Sequence, residues 1–391
     1  MLLTRLQSSA LDDIQRWLSE AEGAETYRLF GFAGSGKTSL AKVVADGFSG
    51  HTIFAAPTGK AAHVLIEKGC LGARTIHSLI YQPTSKSLAI LREMQRKYQE
   101  LPEGREREIL RRQIELEKEN VKSPSFSLNK HSDLSSADLL ILDEASMVNS
   151  QVAEDLLSFG VPILALGDPA QLPPVRGQGF FMDAEPNVLL TEVRRQAEGS
   201  PILQLATAVR EGRGLDDAPE GMVVPKGTFS VQDLLQFDQI LVGRNRTRRI
   251  LNNAIRKAKG FHKNLPESGD KIICLRNDYE LDLLNGSQWT VQDAYWDDEV
   301  DLTLRLQCMD SGREVVACAH SEYFLGREPA FYNVREKQCF DFAYAITVHK
   351  SQGSSWDNVC IVDESRTFGS DARKHLYTAI TRAKRELTII R

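Results

Sequence analysis

GFAGSGKTSL (residues 31–40) sets a glycine-rich turn between a short apolar run, TYRLF (26–30), and a stretch with helical character, SLAKVVADGF (39–48). Gly31, Gly36, Lys37 and Thr38 satisfy the spacing G-x-x-x-x-G-K-[ST]. Glycines let the backbone curl until its amides face a polyphosphate, and the following helix N-terminus adds a favourable dipole. Lys37 is placed for the β- and γ-phosphates of a nucleoside triphosphate and the Thr38 hydroxyl for Mg²⁺, with Gly34, Ser35 and Ser39 in the same cradle. A strand-turn-helix context around the motif predicts a phosphate loop rather than a bare turn.

Outward from this loop, apolar runs of four to six residues recur: TIFAA (52–56), LLIL (139–142), PILAL (162–166), QILVG (239–243), NVCIV (358–362) and LTII (387–390). Runs of this length bounded by Gly, Pro or Asp suit buried parallel strands, and the amphipathic stretches between them suit crossover helices. One series lies before about residue 190 and another after it. The expected class is therefore α/β, with two doubly wound parallel-sheet cores. Two segments depart from that pattern. KSLAILREMQRKYQELPEGREREILRRQIELEKENV (86–121) is highly charged and predicts a helical hairpin turning at LPEG, followed by an extended tongue, SPSFSLNK (123–130). Residues 265–334 alternate like strands and predict a small all-β insertion, SH3-like or barrel-like.

Composition sets limits. The chain has 391 residues, 42% of them apolar, enough for two or more domains with ordinary cores. Its apolar runs fall far short of the roughly 20 residues that span a bilayer, and MLLTRLQSSALDD lacks the apolar centre of a signal peptide. No membrane or export role is expected. The six cysteines form no C-x-x-C pair, so reduced thiols and no zinc site are expected. A net charge of −5 disguises an uneven distribution: residues 265–334 hold 14 acidic and 5 basic residues, net −9, leaving +4 for the rest by subtraction. Within that rest, GRNRTRRILNNAIRKAKGFHK (243–263) carries eight Lys/Arg and no acid. A phosphate-backbone partner is compatible with these numbers, as is a solvated helix face.

The loop needs a carboxylate partner, and LLILDEAS (139–146) supplies one at a strand end: Asp143 to hold Mg²⁺ through water, Glu144 to orient and deprotonate an attacking water. GDPAQLPPV (167–175) follows another apolar run; the Gln171 amide is a candidate for contacting both the γ-phosphate and that water. Two adjacent acids favour hydrolysis over transfer to a small acceptor.

The order GFAGSGKT, APTGKAA (56–62), ARTIHSL (73–79), LDEASMV (142–148), GDPAQLPPV, LTEVRRQ (190–196), ITVHKSQGSSWDNV (346–359) and LYTAITRAKREL (376–387) resembles the motif series of superfamily 1 helicases, most closely the RecD/Dda-like branch, superfamily 1B, including phage Dda-like members. The resemblance covers nearly the whole chain. It implies two RecA-like cores: residues 1–81 with 131–190, and residues 191–264 with 335–391. It also implies a pin or wedge insertion at 82–130 and an SH3-like insertion at 265–334. ATP and Mg²⁺ are the implied cofactors, with Arg195 and Arg382 as the arginines that neutralise transition-state charge; Arg194 beside Arg195 competes for the first assignment. Gln352 and Gly353 are expected near the γ-phosphate, and Gln7, in LTRLQSSAL, at the adenine. Pro57, Thr58, Gly59, Lys60, Thr75, His77, Thr347, His349 and Ser351 match positions that contact single-stranded DNA, although a lone histidine is more often a packing residue. Phe126, in the tongue, serves either as an anchor or as a stacking ring at the fork. The acidic insertion is open to three roles: a cover over the channel, a brace for the pin, or a protein-docking surface.

The expected function is an ATP-dependent DNA helicase that acts as a monomer on single-stranded and fork DNA, with single-strand-binding or replication proteins as further partners. Polarity of 5′ to 3′ is implied by the resemblance alone. The expected location is the cytoplasm, or the host cytoplasm for a phage-encoded chain. Competing readings are a single-strand translocase that displaces proteins and unwinds poorly, and a nucleotide-gated clamp whose turnover responds little to DNA.

Overall fold

The computed structural model describes residues 3–20, 23, 25–83, 86–102, 104–122, 126–174, 179–192, 199–278, 280–297, 301–327 and 337–391. Its first sheet has six parallel strands in the spatial order Arg74–Thr75, Thr52–Ala56, Leu139–Leu142, Ile163–Gly167, Thr26–Gly31 and Val188–Leu190. Alternation decides which face each side chain serves. Leu139 and Ile141 join a core formed with helices Arg5–Glu20, Lys37–Gly47 and Gly59–Glu67, whereas Leu140 and Leu142 join a second core with Ile76, Leu79, Leu156 and Phe181. Both faces are covered, so the run LLIL is apolar throughout and fully buried. Each such leucine contributes roughly 1.5–3 kcal/mol by leaving water.

The second sheet repeats the scheme with five parallel strands, ordered Ala345–Thr347, Gln239–Val242, Trp356–Val362, Ala383–Ile390 and Val223–Val224. Leu241, Val359 and Ile361 face one cluster while Ile240, Val242 and Cys360 face the other. The two expected RecA-like cores are present. Four short strands, Arg74–Thr75, Val188–Leu190, Val223–Val224 and Ala345–Thr347, add to those expected, each too brief to leave a periodic signal.

Residues 86–121 form the expected hairpin, as helices Lys86–Glu100 and Arg105–Lys122. Leu91, Met94, Tyr98, Leu110 and Ile114 make a small core of its own. The tongue follows as strand Phe126–Leu128, antiparallel to Tyr81–Pro83, so its backbone is tied to the first core. The all-β insertion is an antiparallel sheet ordered Glu314–Ala319, Asp301–Cys308, Gln288–Asp297, Lys271–Cys274 and Phe340–Phe342, the last strand falling beyond residue 334. Alternate residues Leu302, Leu304 and Leu306 pack on the fully buried Trp289, whose Nε1 donates to Ser287 Oγ at 2.8 Å. All six cysteines are free thiols. Among the described residues, no helix is long and apolar enough to cross a membrane and no cluster of three metal-ligating side chains occurs.

Candidate active site

Parallel strands bring their carboxyl ends to one edge, and there the first core's motifs converge. Gly31 ends one strand and opens the phosphate loop, Asp143 and Glu144 follow Leu142, and Asp168 follows Gly167. Gly34 (φ 80°) and Gly36 (φ 82°) take the left-handed backbone that the turn requires before helix Lys37–Gly47. At Gly31 a Cβ would lie 2.5 Å from Ser35 Oγ and 2.9 Å from Leu190 Cβ, so this position has no room for a side chain.

The resulting cavity, about 340 Å³, is lined from the first core by Gly34, Gly36, Lys37, Thr38, Ser39, Asp143, Glu144, Asp168 and Gln171, and from the second by Gly353, Ser354, Ser355, Thr381 and Arg382. Thr38 Oγ1 donates to Asp143 Oδ2 at 3.0 Å. Lys37 Nζ lies 2.6 Å from the Gly31 carbonyl oxygen. Glu144 sits in left-handed backbone (φ 52°, ψ 40°), a conformation costing a non-glycine residue roughly 1–2 kcal/mol. Burial, then the neighbouring Asp143 carboxylate, push the Glu144 carboxyl above its ordinary pKa, against the opposing pull of Arg382 and Lys37. Gln171 is buried, and among the described residues its Oε1 has no hydrogen-bond partner, while its Nε2 lies 3.5 Å from Asp168 Oδ2. An amide cradle, an ammonium, a hydroxyl–carboxylate pair and an orphaned buried acceptor together fit a polyphosphate carrying a divalent cation.

Arg382, 6% exposed, enters from the second core, held by Nε to Thr378 O at 2.9 Å and Nη1 to Ser354 O at 3.3 Å. The cores also touch where Gly353 (φ 76°) meets Ala61 and Thr58: a Cβ there would lie 3.0 Å from Ala61 Cβ. Three expected residues stand off the cavity wall. Gln7 is buried under the loop, donating from Nε2 to Ser35 O (2.8 Å) and accepting at Oε1 from Thr4 N (3.1 Å). Gln352 donates to Leu172 O across the cores at 3.0 Å. Ser35 is 1% exposed, its Oγ without a partner among the described residues. Arg195, with Arg194, lies outside the described residues.

The expected strand-contacting residues lie at the same edge of both cores. Thr58, Thr75 and Thr347 each cap a helical turn, accepting from the backbone amides of Ala61, Ser78 and Lys350. Pro57 precedes the Thr58 cap, and Gly59 opens the helix where a Cβ would lie 2.5 Å from Leu284 Cβ of the β insertion. Lys60 Nζ pairs with Asp310 Oδ2 of that insertion at 2.6 Å. His77 packs against Tyr81 with ring centres 5.3 Å apart, and His349 against Phe368 at 5.7 Å; burial lowers the pKa of both imidazoles. Ser351 is fully buried and donates to Val348 O. Phe126 is placed by its backbone pairing with Pro83.

The insertion is anchored on the second core. Buried Arg256 binds Asp270 through Nε and Nη2 (2.9 and 2.8 Å), and Gln288 Nε2 donates to Gln239 Oε1 at 2.6 Å. It also reaches helix Gly59–Glu67 of the first core, through Asp310 and Leu284.

Comparison with known proteins agrees with this geometry. Residues 11–220, more than half of the chain, match a family described as an AAA domain, and residues 342–390 match a UvrD-like helicase C-terminal domain. The chain belongs to the AAA-domain family, on the RecD/Pif1-like side of helicase superfamily 1B. Among superfamily 1B relatives, the ATP-dependent RecD2 DNA helicase of Deinococcus radiodurans is 26% identical over 412 residues, covering 98% of this chain and 48% of that protein. The chain thus spans about half of that relative's length. A Bacteroides Pif1 bound to ssDNA has the same fold, with a TM-score of 0.59, 21% identity and coverage of 99% of this chain and 92% of that one. A structure of two coordinating Pif1 helicases at forked dsDNA matches at TM-score 0.60, with 21% identity and the same coverages.

Asp168 lines the cavity and Tyr377 bonds to it, roles that motif spacing does not reveal: Tyr377 lies in LYTAITRAK with Arg382, and Asp168 in GDPAQ with Gln171.

Proposed function

We propose that this chain is an ATP-dependent DNA helicase that moves along single-stranded DNA, 5′ to 3′, and unwinds duplex. The carrying observation is the composite cavity: hydrolytic groups from one core face Arg382 from the other. Such a site turns over efficiently only when the cores close, so each ATP cycle opens and closes the edge on which a strand would lie.

Lys37 and the loop amides would hold the β- and γ-phosphates, and Thr38 and Asp143 would hold Mg²⁺, which when bound would supply neutralising positive charge. Glu144 takes the proton of the attacking water, its raised basicity suiting that task. Gln171 aligns that water. Arg382 and Arg195 neutralise developing charge, Arg382 being already within the cavity wall. Gly353 and Gln352 carry the nucleotide's state into the second core, and Gln7, bonded to Ser35 O, braces the loop beside the base. Pro57, Thr58, Gly59, Lys60, Thr75 and His77 on one core, with Thr347, His349 and Ser351 on the other, form the two grips on the strand. The likeness to RecD2 and to the Pif1 structures supports this reading of the substrate.

ATP hydrolysis and strand displacement, measured side by side on forked DNA with a 5′ or a 3′ single-stranded tail, test it. Expected are strong stimulation of hydrolysis by either tail and displacement only with the 5′ tail. Stimulated hydrolysis without displacement favours the protein-stripping translocase, and hydrolysis indifferent to DNA favours the clamp.

A further inference from the structure

Helix Ala372–Ile380 carries two side chains into the first core just before the chain reaches Arg382. The Tyr377 hydroxyl accepts from Ala33 N of the phosphate loop at 2.9 Å and donates to Asp168 Oδ2 at 2.9 Å. Chemistry fixes these directions, because a backbone amide only donates and a carboxylate only accepts. One turn position on, Thr378 Oγ1 accepts from Leu172 N at 2.9 Å. Tyr377 is 2% exposed and Asp168 1%, so neither bond competes with bulk water.

Asp168 is itself the organiser of the loop that bears Gln171. Its Oδ1 accepts from Ala170 N at 3.0 Å, and its backbone carbonyl from Gln171 N at 3.1 Å. Its Oδ2 is shared between the Tyr377 hydroxyl and, at 3.5 Å, Gln171 Nε2. Removing the hydroxyl leaves Gln171 Nε2 as that oxygen's side-chain donor among the described residues. The amide is then drawn toward Asp168, and the orphaned Oε1 turns from its place in the cavity wall. The same removal strips the Ala33 amide of its partner and loosens the phosphate loop. Another cross-core contact, the Arg210 guanidinium 3.6 Å above the Phe32 ring, lacks this double reach.

We propose that Tyr377 is a positioning residue: its hydroxyl seats the Arg382-bearing helix on the phosphate loop and on the Asp168–Gln171 loop at once, making alignment of both depend on where the second core stands. The proposal rests on the reading of this cavity as an ATPase site and adds to it a route by which core closure reaches the first core's loops.

Tyr377→Phe keeps the packed ring and deletes only the hydroxyl; Thr378→Val deletes a cross-core bond from the same helix without touching the phosphate loop. For Tyr377→Phe, the DNA-stimulated kcat should fall about tenfold, the loss of a buried hydrogen bond to a charged group, with KM for ATP within about threefold. In the nucleotide-free protein, hydrogen exchange at the Ala33 amide should quicken about tenfold in Tyr377→Phe and stay unchanged in Thr378→Val. Unaltered exchange and kcat in Tyr377→Phe overturn the proposal. So do equal losses in Thr378→Val, which mark general core docking, and parallel falls in melting temperature, kcat and KM, which mark a packing role. If the native chain shows no DNA-stimulated hydrolysis, the ATPase-motor reading fails, while the Ala33 exchange still decides whether the hydroxyl holds the loop.

Discussion

The nucleotide cavity and the proposed strand edge of the first core are assembled from the same parts, a parallel strand followed by a helical N-terminus, yet they leave different groups available. At the cavity, Gly34 and Gly36 take positive φ in the loop, and among the described residues Gln171 Oε1 has no partner. On the strand edge the polar side chains already have protein partners: Thr58 and Thr75 cap their helices and Lys60 is paired with Asp310. A site that must bind one ligand in one geometry keeps its groups free and pre-aimed. A surface along which a strand must slide gains from contacts that exchange with internal partners at little net cost.

The largest effects should therefore follow changes inside the cavity. Lys37→Ala should abolish hydrolysis. Glu144→Gln should keep nucleotide affinity while lowering kcat on the order of a hundredfold to ten-thousandfold, since an amide cannot take the proton. Normal turnover by Glu144→Gln would remove the base assignment. Glu144 also yields a stability prediction. Its folded pKa lies above the unfolded value, so between the two the folded protein binds more protons, and stability falls as pH rises through that window. Glu144→Gln escapes this loss and should melt at a higher temperature than the native chain at neutral pH.

Arg382→Ala comes next. Its guanidinium is supplied by the second core, so ATP affinity should stay within a few-fold while the DNA-stimulated rate drops by roughly a thousandfold or more. A large loss of affinity with unchanged kcat would instead make Arg382 a ground-state clamp, and the contrast between cavity and strand edge would lose its mechanical basis.

Legibility in the sequence follows the same division. LLIL and PILAL signalled buried parallel strands because both faces of the sheet are covered, and the residues just after such runs had to lie at one edge. Lys37, Thr38, Asp143, Glu144 and Gln171 could thus be placed together from order alone. The hairpin and the alternating β insertion were legible from a change of period. Partners across long sequence separations were not: Lys60 with Asp310, Tyr377 with Ala33 and Asp168, and Gln352 with Leu172 depend on how the cores and insertion dock, and no local pattern encodes that. Gln7 belongs with them: its motif marks the position, while its bonds to Ser35 O and Thr4 N follow only from how the loop and first helix dock.

The tongue offers a smaller effect. Strand Phe126–Leu128 is held by its pairing with Tyr81–Pro83, and Phe126 stands at the end of that ladder farthest from Leu128. If its ring stacks at the fork, Phe126→Ala should keep single-strand affinity and DNA-stimulated hydrolysis but reduce strand displacement by roughly fivefold or more, from a stacking energy of 1–3 kcal/mol per base. Joint loss of hydrolysis and thermal stability would assign the ring to anchoring, and undiminished unwinding would remove it from the mechanism.

The smallest effect concerns the pair that joins the β insertion to the first core. Lys60 is 14% exposed and Asp310 37%, so the bond is only partly screened, and a strand phosphate reaching Lys60 must displace a carboxylate of like charge. On that view Asp310 occupies the phosphate's place between encounters. Asp310→Asn should raise single-strand affinity about two- to fivefold at low salt, the scale of one partly exposed ion pair, and the gain should fade as salt screens it. Lys60→Ala should flatten the dependence of log affinity on log salt by about 0.7, the share of one neutralised phosphate on a single strand. The opposite sign for Asp310→Asn, weaker binding with faster dissociation, would mean that the pair closes the insertion over a strand already in place. The Gly59–Leu284 contact would then belong to the same closure, and Asp310 would act as a clasp that slows escape rather than as a competitor for Lys60.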